Sequence, residues 1–203
     1  IEENKTSLLK LIFATNNQHK VEELLSLTGN EFDIITLQQA GISIDIPEPY
    51  DTLEENASTK SKTIYEMSGI NCFGEDTGLE VTALNGEPGV KSARYAGENR
   101  SFNANIDKLL TNLDGTSDRT ARFRTVISLI IEGEETIFEG ICEGRIIEER
   151  KGKQGFGYDP VFVPNCSNKT FAEMDMEEKS KFSHRAKATE KLVIFLNKLK
   201  QKH

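Results

Sequence analysis

Cysteine is scarce in this chain and badly placed for bonding: Cys72, Cys142 and Cys166 are odd in number, lie far apart and form no C-x-x-C pair. Neither a disulfide framework nor a thiolate zinc site is expected, and the three are read as reduced and mostly packed. Long apolar runs are missing too. No stretch approaches the roughly 18 residues needed to span a bilayer, and the segment from Glu2 to Asn4 is acidic and polar, so neither a membrane helix nor a signal peptide is expected. Positive charge is in deficit, with 25 Lys and Arg against 33 Asp and Glu and a net charge of -8. Tracking long nucleic acid needs a positive field, so that class is set aside, while small anionic ligands stay open if positive charge is concentrated locally. What remains is a cytoplasmic globular protein whose 203 residues suit one domain, 1–203.

What the chain does contain is a series of polar corners between apolar elements. Residues 8–14 (LLKLIFA) are a nearly continuous apolar run, as for a buried strand. Val21, Leu24, Leu25 and Thr28 then form the inward stripe of a helix stopped by Gly29. The loop between them, Thr15, Asn16, Asn17, Gln18, His19 and Lys20, meets a helix N-terminus, where free N–H groups and the helix dipole attract anions. It lacks the glycines of a P-loop, so an anion site and a capped turn with an exposed lysine both stand open. A second strand is predicted over 32–36, then an irregular stretch, 37–51, in which Pro47 and Pro49 bracket Glu48. Thr52 and Glu55 have the form of a capping box opening a helix to about Ser68. Leu53, Ala57, Ile64 and Met67 lie near one face of it, and Asn56 and Lys60 share another at i,i+4 spacing.

The rest of the chain is organised around residues 72–81 (CFGEDTGLEV). Cys72 and Phe73 predict the end of a buried strand and Gly78 a break in direction, which places Glu75 and Asp76 at a strand-to-turn corner. Adjacent acids repel, so such a corner either has a cation or a proton-transfer task nearby or is a solvated acidic turn. A turn cluster at 85–89 and a brief element at 92–97 precede an amphipathic helix, marked by Phe102, Ile106, Leu109, Leu110 and Leu113 and read as structural. Residues 120–131 and 136–147 predict a long antiparallel hairpin about a turn at 132–135. The glycine-rich stretch 151–159 (KGKQGFGYD) holds Phe156 and Tyr158 in a backbone of unusual freedom, as a plate for a nucleobase or a plug in the core. A charged turn at 177–179 and Ser183 as N-cap lead into the last helix, whose buried stripe is Ala188, Leu192, Phe195, Leu196 and Leu199. His184 and Arg185 fall in its first turn, where the dipole disfavours cations, so they ask for an anionic or carbonyl partner.

Lys20, Lys60, Lys179 and Arg185 as cations, Glu48, Glu75 and Asp76 as acids and Phe156 as a plate make a kit for a nucleoside polyphosphate with a divalent ion. Six motifs stand in order along the chain: ATNNQHK at 14–20, LEENASTK at 53–60, EDTGLEV at 75–81, SARYAG at 92–97, GFGYDP at 155–160 and EKSKFSHR at 178–185. On these the chain resembles the inosine triphosphate pyrophosphatases from residue 13 to residue 188. The resemblance implies an α/β fold, a long mixed sheet with flanking helices forming two lobes around a cleft. It also implies hydrolysis of ITP, dITP and XTP to the monophosphate and pyrophosphate, with Mg2+, in a homodimer that contacts neither nucleic acid nor membrane.

By the same resemblance the loop from Thr15 to Lys20 holds the phosphates, Lys60 and Lys179 add positive charge, and Thr77 is a substrate-binding residue. Glu48 and Asp76 match the carboxylates associated with Mg2+, and Asp76 the proton acceptor for the attacking water. Phe156, Gly157, Tyr158 and Asp159, with His184 and Arg185, match the base-binding groups. Arg185 would donate to a 6-keto oxygen, whereas a 6-amino group sets donor against donor. Glu75 departs from the double Asp of many bacterial members. Two other readings stand beside this one: a Maf-type pyrophosphatase acting on pyrimidine or modified nucleotides, which would not need Ser183-His184-Arg185, and a nucleotide-binding module without turnover.

Overall fold

The computed structural model describes residues 8–202, and the polar stretch from Glu2 to Asn4 lies outside the described residues. Strand β1 (Lys10–Phe13) runs into helix α1 (Gln18–Thr28), β2 (Asp33–Thr36) returns beside β1, and α2 (Leu53–Ser68) leads into β3 (Cys72–Val81). A two-residue strand, β4 (Pro88–Gly89), and α3 (Phe102–Asn112) precede the hairpin of β5 (Thr120–Ile131) and β6 (Glu134–Ile146). Strand β7 (Phe162–Pro164) and helices α4 (Met176–Ser180) and α5 (His184–Gln201) follow. Local chemistry sets these boundaries. Asn17 caps α1 and Thr52 caps α2, Gly69 ends α2 in the left-handed region, and Glu132 and Gly133, both at positive φ, turn the hairpin in two residues.

The strands form one mixed sheet in the order β2-β1-β3-β5-β6-β7, with β4 on the edge of β3. Strand β3 pairs with β5 along its whole length, Cys72 with Ile130 through Val81 with Ala121. The short strands meet this spine only at its ends. Strand β1 reaches β3 through Ile12–Cys72 and Phe13–Phe73, β4 meets it at Leu79 and Glu80, and β7 joins β6 at Gly144 to Ile146. The core divides accordingly: Phe13, Leu24, Phe73, Leu129 and Leu192 pack at one end, and Leu79, Leu109, Phe123, Phe162 and Phe171 at the other. Between the two cores the spine is polar, at Glu75, Asp76, Thr77 and Thr125, and a cleft opens there. The expected α/β architecture, with two lobes about a cleft, is the one observed.

Several local expectations are corrected. Gly78 does not break the chain, and Glu75 and Asp76 sit in mid-strand rather than at a corner. The glycines are there for close approach: a Cβ on Gly74 would lie 2.6 Å from the Ala57 carbonyl oxygen of α2, and one on Gly78 2.6 Å from that of Gly89. Leu25 and Met67 face solvent instead of the core, while Glu23 is buried in the stripe of α1. The Thr52 hydroxyl accepts from the Glu55 N–H but donates to the Glu55 carboxylate, so the reciprocal half of the box is made between side chains. The charged turn at 177–179 is the short helix α4. Among the described residues no helix is long and apolar enough to cross a membrane.

Candidate active site

Alternation along β3 sends neighbouring side chains to opposite faces of the sheet. Glu75 and Thr77 point to the α5 face and Asp76 to the face covered by α2, so the two acids do not share a corner and each has its own partners. A cavity of about 430 Å³ lies between the lobes, a size suited to a small organic ligand. Of the candidate site residues, three do not line it: Gln18 and His19, which are exposed beside it, and Glu75, which is fully buried.

Helix α2 delivers Lys60 to the Asp76 side. Its Nζ lies 2.5 Å from Glu48 Oε1 and 3.6 Å from Asp76 Oδ1, and it donates to the Glu75 carbonyl at 2.8 Å. Burial works against the Lys60 charge, but Asp76 and Glu48 hold its pKa above the ordinary value. Asp76 Oδ1 accepts from the Thr77 N–H, whereas Asp76 Oδ2 is buried without a hydrogen-bond partner. Burial pushes the Asp76 pKa up against the pull of Lys60 and Lys20. An acid left with a free oxygen and a raised pKa, on the wall of a cleft, suits proton transfer.

The loop after β1 is fixed by its own polar groups. Ala14 N–H bonds the Phe73 carbonyl, Thr15 Oγ1 accepts from Asn17 N–H, Asn16 Nδ2 donates to the Ile44 carbonyl and Asn17 Oδ1 caps the Lys20 N–H. These bonds bring the N-terminus of α1 alongside the middle of β3, where Lys20 Nζ lies 3.3 Å from Glu75 Oε1. Burial lowers the Lys20 pKa, partly offset by Glu75.

On the α5 face the acids and bases form one buried chain. Arg185 Nε and Nη2 grip Glu75 at 2.7 and 2.8 Å, Nη1 donates to Glu23 at 2.9 Å and Nη2 also reaches Thr77 Oγ1. Glu23 continues to Lys179 at 3.0 Å, and Lys179 to Asp159 at 2.8 Å. The guanidinium is only 1% exposed and Glu75 not at all. Burial opposes the Glu75 charge, yet Arg185 and Lys20 hold its carboxyl well below the usual range, while Glu75 and Glu23 push the Arg185 pKa up. The anionic partner that the first turn of α5 demanded is therefore Glu75, with Glu23 beside it.

The far end of the cavity is aromatic. Lys179 Nζ lies 5.2 Å and Arg185 Cζ 5.6 Å from the centre of the Phe156 ring. Tyr158 is a core residue whose hydroxyl donates to the Ser92 carbonyl, so it shapes the loop more than it faces the cleft. His184 stacks on Phe123 at 4.5 Å, and burial, with Arg185 and Lys179 close by, pushes its pKa well below the ordinary value, leaving a neutral imidazole. Two site residues were missed from the sequence. Glu23 sits among four residues of mixed polarity on α1, and an acid at a core position of a helix is the signal that would have found it. Phe102, read as structural, is half-exposed and lines the cavity.

The donor set suits a divalent cation shared with a ligand. Asp76 Oδ2 is an unused carboxylate oxygen and Glu48 lies on the same cation, Lys60. Among the described residues no three His, Cys, Asp or Glu gather as a complete ligand set, so phosphate oxygens would have to supply the remainder.

The sequence profile of the Ham1 family matches residues 11–195. A dITP/XTP pyrophosphatase of Christiangramia forsetii is 48% identical over 190 residues, covering 94% of this chain and 100% of the relative. The Staphylococcus aureus Ham1 protein superposes with a TM-score of 0.84 at 40% identity, covering 93% of this chain and 98% of that one. A HAM1 protein from Coxiella burnetii gives 0.85 at 36% identity, covering 94% and 100%.

Proposed function

The chain belongs to the Ham1 family, and from that membership we propose that it hydrolyses non-standard purine nucleoside triphosphates, dITP, XTP and ITP, to the monophosphate and pyrophosphate. The observation that carries the reading is Asp76: a buried carboxylate with one oxygen unpaired, its pKa raised, in a cleft flanked by Lys20 and Lys60.

In this mechanism the polyphosphate lies against the loop from Thr15 to Lys20 and the N-terminus of α1, with Lys20 and Lys60 facing its charge. Asp76 takes the proton of a water that attacks the phosphorus nearest the nucleoside, and the lysines stabilise pyrophosphate as it leaves. Asp76 and Glu48, together with phosphate oxygens, would hold Mg2+, which would supply neutralisation of the developing charge. At the other end the base meets Phe156. Four of the five Arg185 donors are taken by protein partners, which leaves one for a 6-keto oxygen and none that tolerates a 6-amino group. Three free thiols suit a reducing compartment, and a cytoplasmic homodimer completes the proposal. Light scattering tests the dimer, and a single-copy mass in solution removes it.

The deciding experiment is product analysis after incubation with ITP, dITP or XTP, and separately ATP, with and without Mg2+. The expected products are the monophosphate and pyrophosphate, from the non-standard nucleotides only and with the metal only. Orthophosphate as first product would place the cleavage at the wrong bond, and ligand binding without turnover would turn the site into a nucleotide sensor.

A further inference from the structure

His19 turns its ring to two aromatic neighbours, Phe156 and Phe102. It lies in the first turn of α1, and its ring stacks on Phe156 with centroids 5.0 Å apart and planes at 12°. Phe102 leans on both rings, 5.9 Å from His19 and 6.3 Å from Phe156. Phe156 and Phe102 line the cavity, whereas His19 is exposed outside it. Lys179 and Arg185, the cations near Phe156, are buried and line the cavity, as His19 does not. Phe156 also needs holding: it is flanked by Gly155 and Gly157, at φ +71° and +60°, in a segment without regular structure from 147 to 158. Asp159 ties down its backbone, accepting from the Phe156 N–H at 3.1 Å and donating its own N–H to the Phe156 carbonyl at 3.2 Å, which leaves the tilt of the ring itself to be set by what packs on it.

We propose that His19 is a positioning residue for base recognition, stacking on Phe156 from outside the cleft so that the ring offers a fixed face to the purine. This inference rests on the function proposed above. Since His19 also follows Asn16 and Asn17 in the loop expected to hold the phosphates, its stack joins the two ends of the site in one rigid piece. The distance from phosphate loop to base plate is thereby set by a helix turn and not by a glycine-rich loop.

The test compares His19→Ala and His19→Phe with the wild-type enzyme. Steady-state kinetics with ITP are measured beside competitive inhibition by inorganic tripolyphosphate, which has charge but no base. His19→Ala is expected to raise KM for ITP by about three- to tenfold, the size of one lost ring–ring contact, with kcat within about twofold. The inhibition constant for tripolyphosphate stays unchanged, His19→Phe restores KM, and the melting temperature is the same in all three proteins. An unchanged KM overturns the proposal, as does failure of His19→Phe to restore it. Equal weakening of tripolyphosphate also overturns it, because His19 would then act on the phosphates. Failure of the function itself shows earlier and separately, as a wild-type protein that leaves ITP intact.

Discussion

At the residue scale the two neighbouring acids of β3 are separated by their partners, Asp76 facing Lys60 and Glu75 gripped by Arg185. Asp76→Asn is expected to lower kcat by about 10²- to 10⁴-fold with folding intact, the usual range for losing a positioned base. Because burial raises the Asp76 pKa, the carboxylate fraction grows with pH, so wild-type activity should climb through that raised value and the limb should vanish in the variant. A retained limb would assign the base elsewhere. Glu75 is held ionised by Arg185, and Glu75→Gln should cost about 3 kcal/mol in urea unfolding at neutral pH, since it leaves a buried guanidinium short of its main partner. The folded carboxyl binds its proton less tightly than the unfolded one. Its stabilisation is therefore complete above the ordinary carboxylate value and drains as pH falls toward the lower folded value. The gap between wild type and Glu75→Gln should be full at about pH 7, start to narrow at about pH 5 and be smaller at about pH 3; a constant gap would mean the carboxylate is not the stabilising species. Sequence motifs located Asp76, Lys60, Lys179 and Arg185 because each stands in a distinctive short run. They could not show that Arg185 turns to Glu75 and Glu23, because ion pairs between residues so distant in sequence exist only once the sheet is built.

At the element scale, periodicity revealed most helices and the hairpin, but it misread Gly78 as a turn, since a glycine at a close approach and a glycine at a bend look alike in sequence. The difference is spatial. Gly74 lets α2 lie on β3 closely enough for Lys60 to reach Asp76 and Glu48. Gly74→Ala should therefore destabilise by about 1–3 kcal/mol, as overpacking does, and reduce turnover by more than that loss of stability explains. Equal activity per folded molecule would show that the helix tolerates the shift. Likewise a Cβ on Gly140 of β6 would run into the backbone at His184 and Ala188, so this one glycine fixes how deeply α5 seats Arg185.

At the scale of the whole molecule, two cores hang on one continuous spine, and we propose that they unfold together as a single domain. Two buried thiols report on the two ends of the spine: Cys142 in the core with Phe123, and Cys72 in a smaller cluster with Ile12, Ile64 and Ile130 where β1 joins β3. Burial pushes the Cys72 thiol up to about 12 and Cys142 to about 11, so native protein should be alkylated only at exposed Cys166. Across a urea titration Cys72 and Cys142 should become reactive at the same midpoint, coincident with loss of far-UV circular dichroism; separated midpoints would make the lobes independent units. The pairing of β3 with β5 has one more result. Slipped by one residue, β3 would turn Glu75 toward α2 and Asp76 toward Arg185, and would press Phe73 or Glu75 against a helix that has room only for glycine. A wrongly assembled molecule is thus sterically rejected and, under the mechanism proposed above, unreactive as well, so the strand carries its own error check.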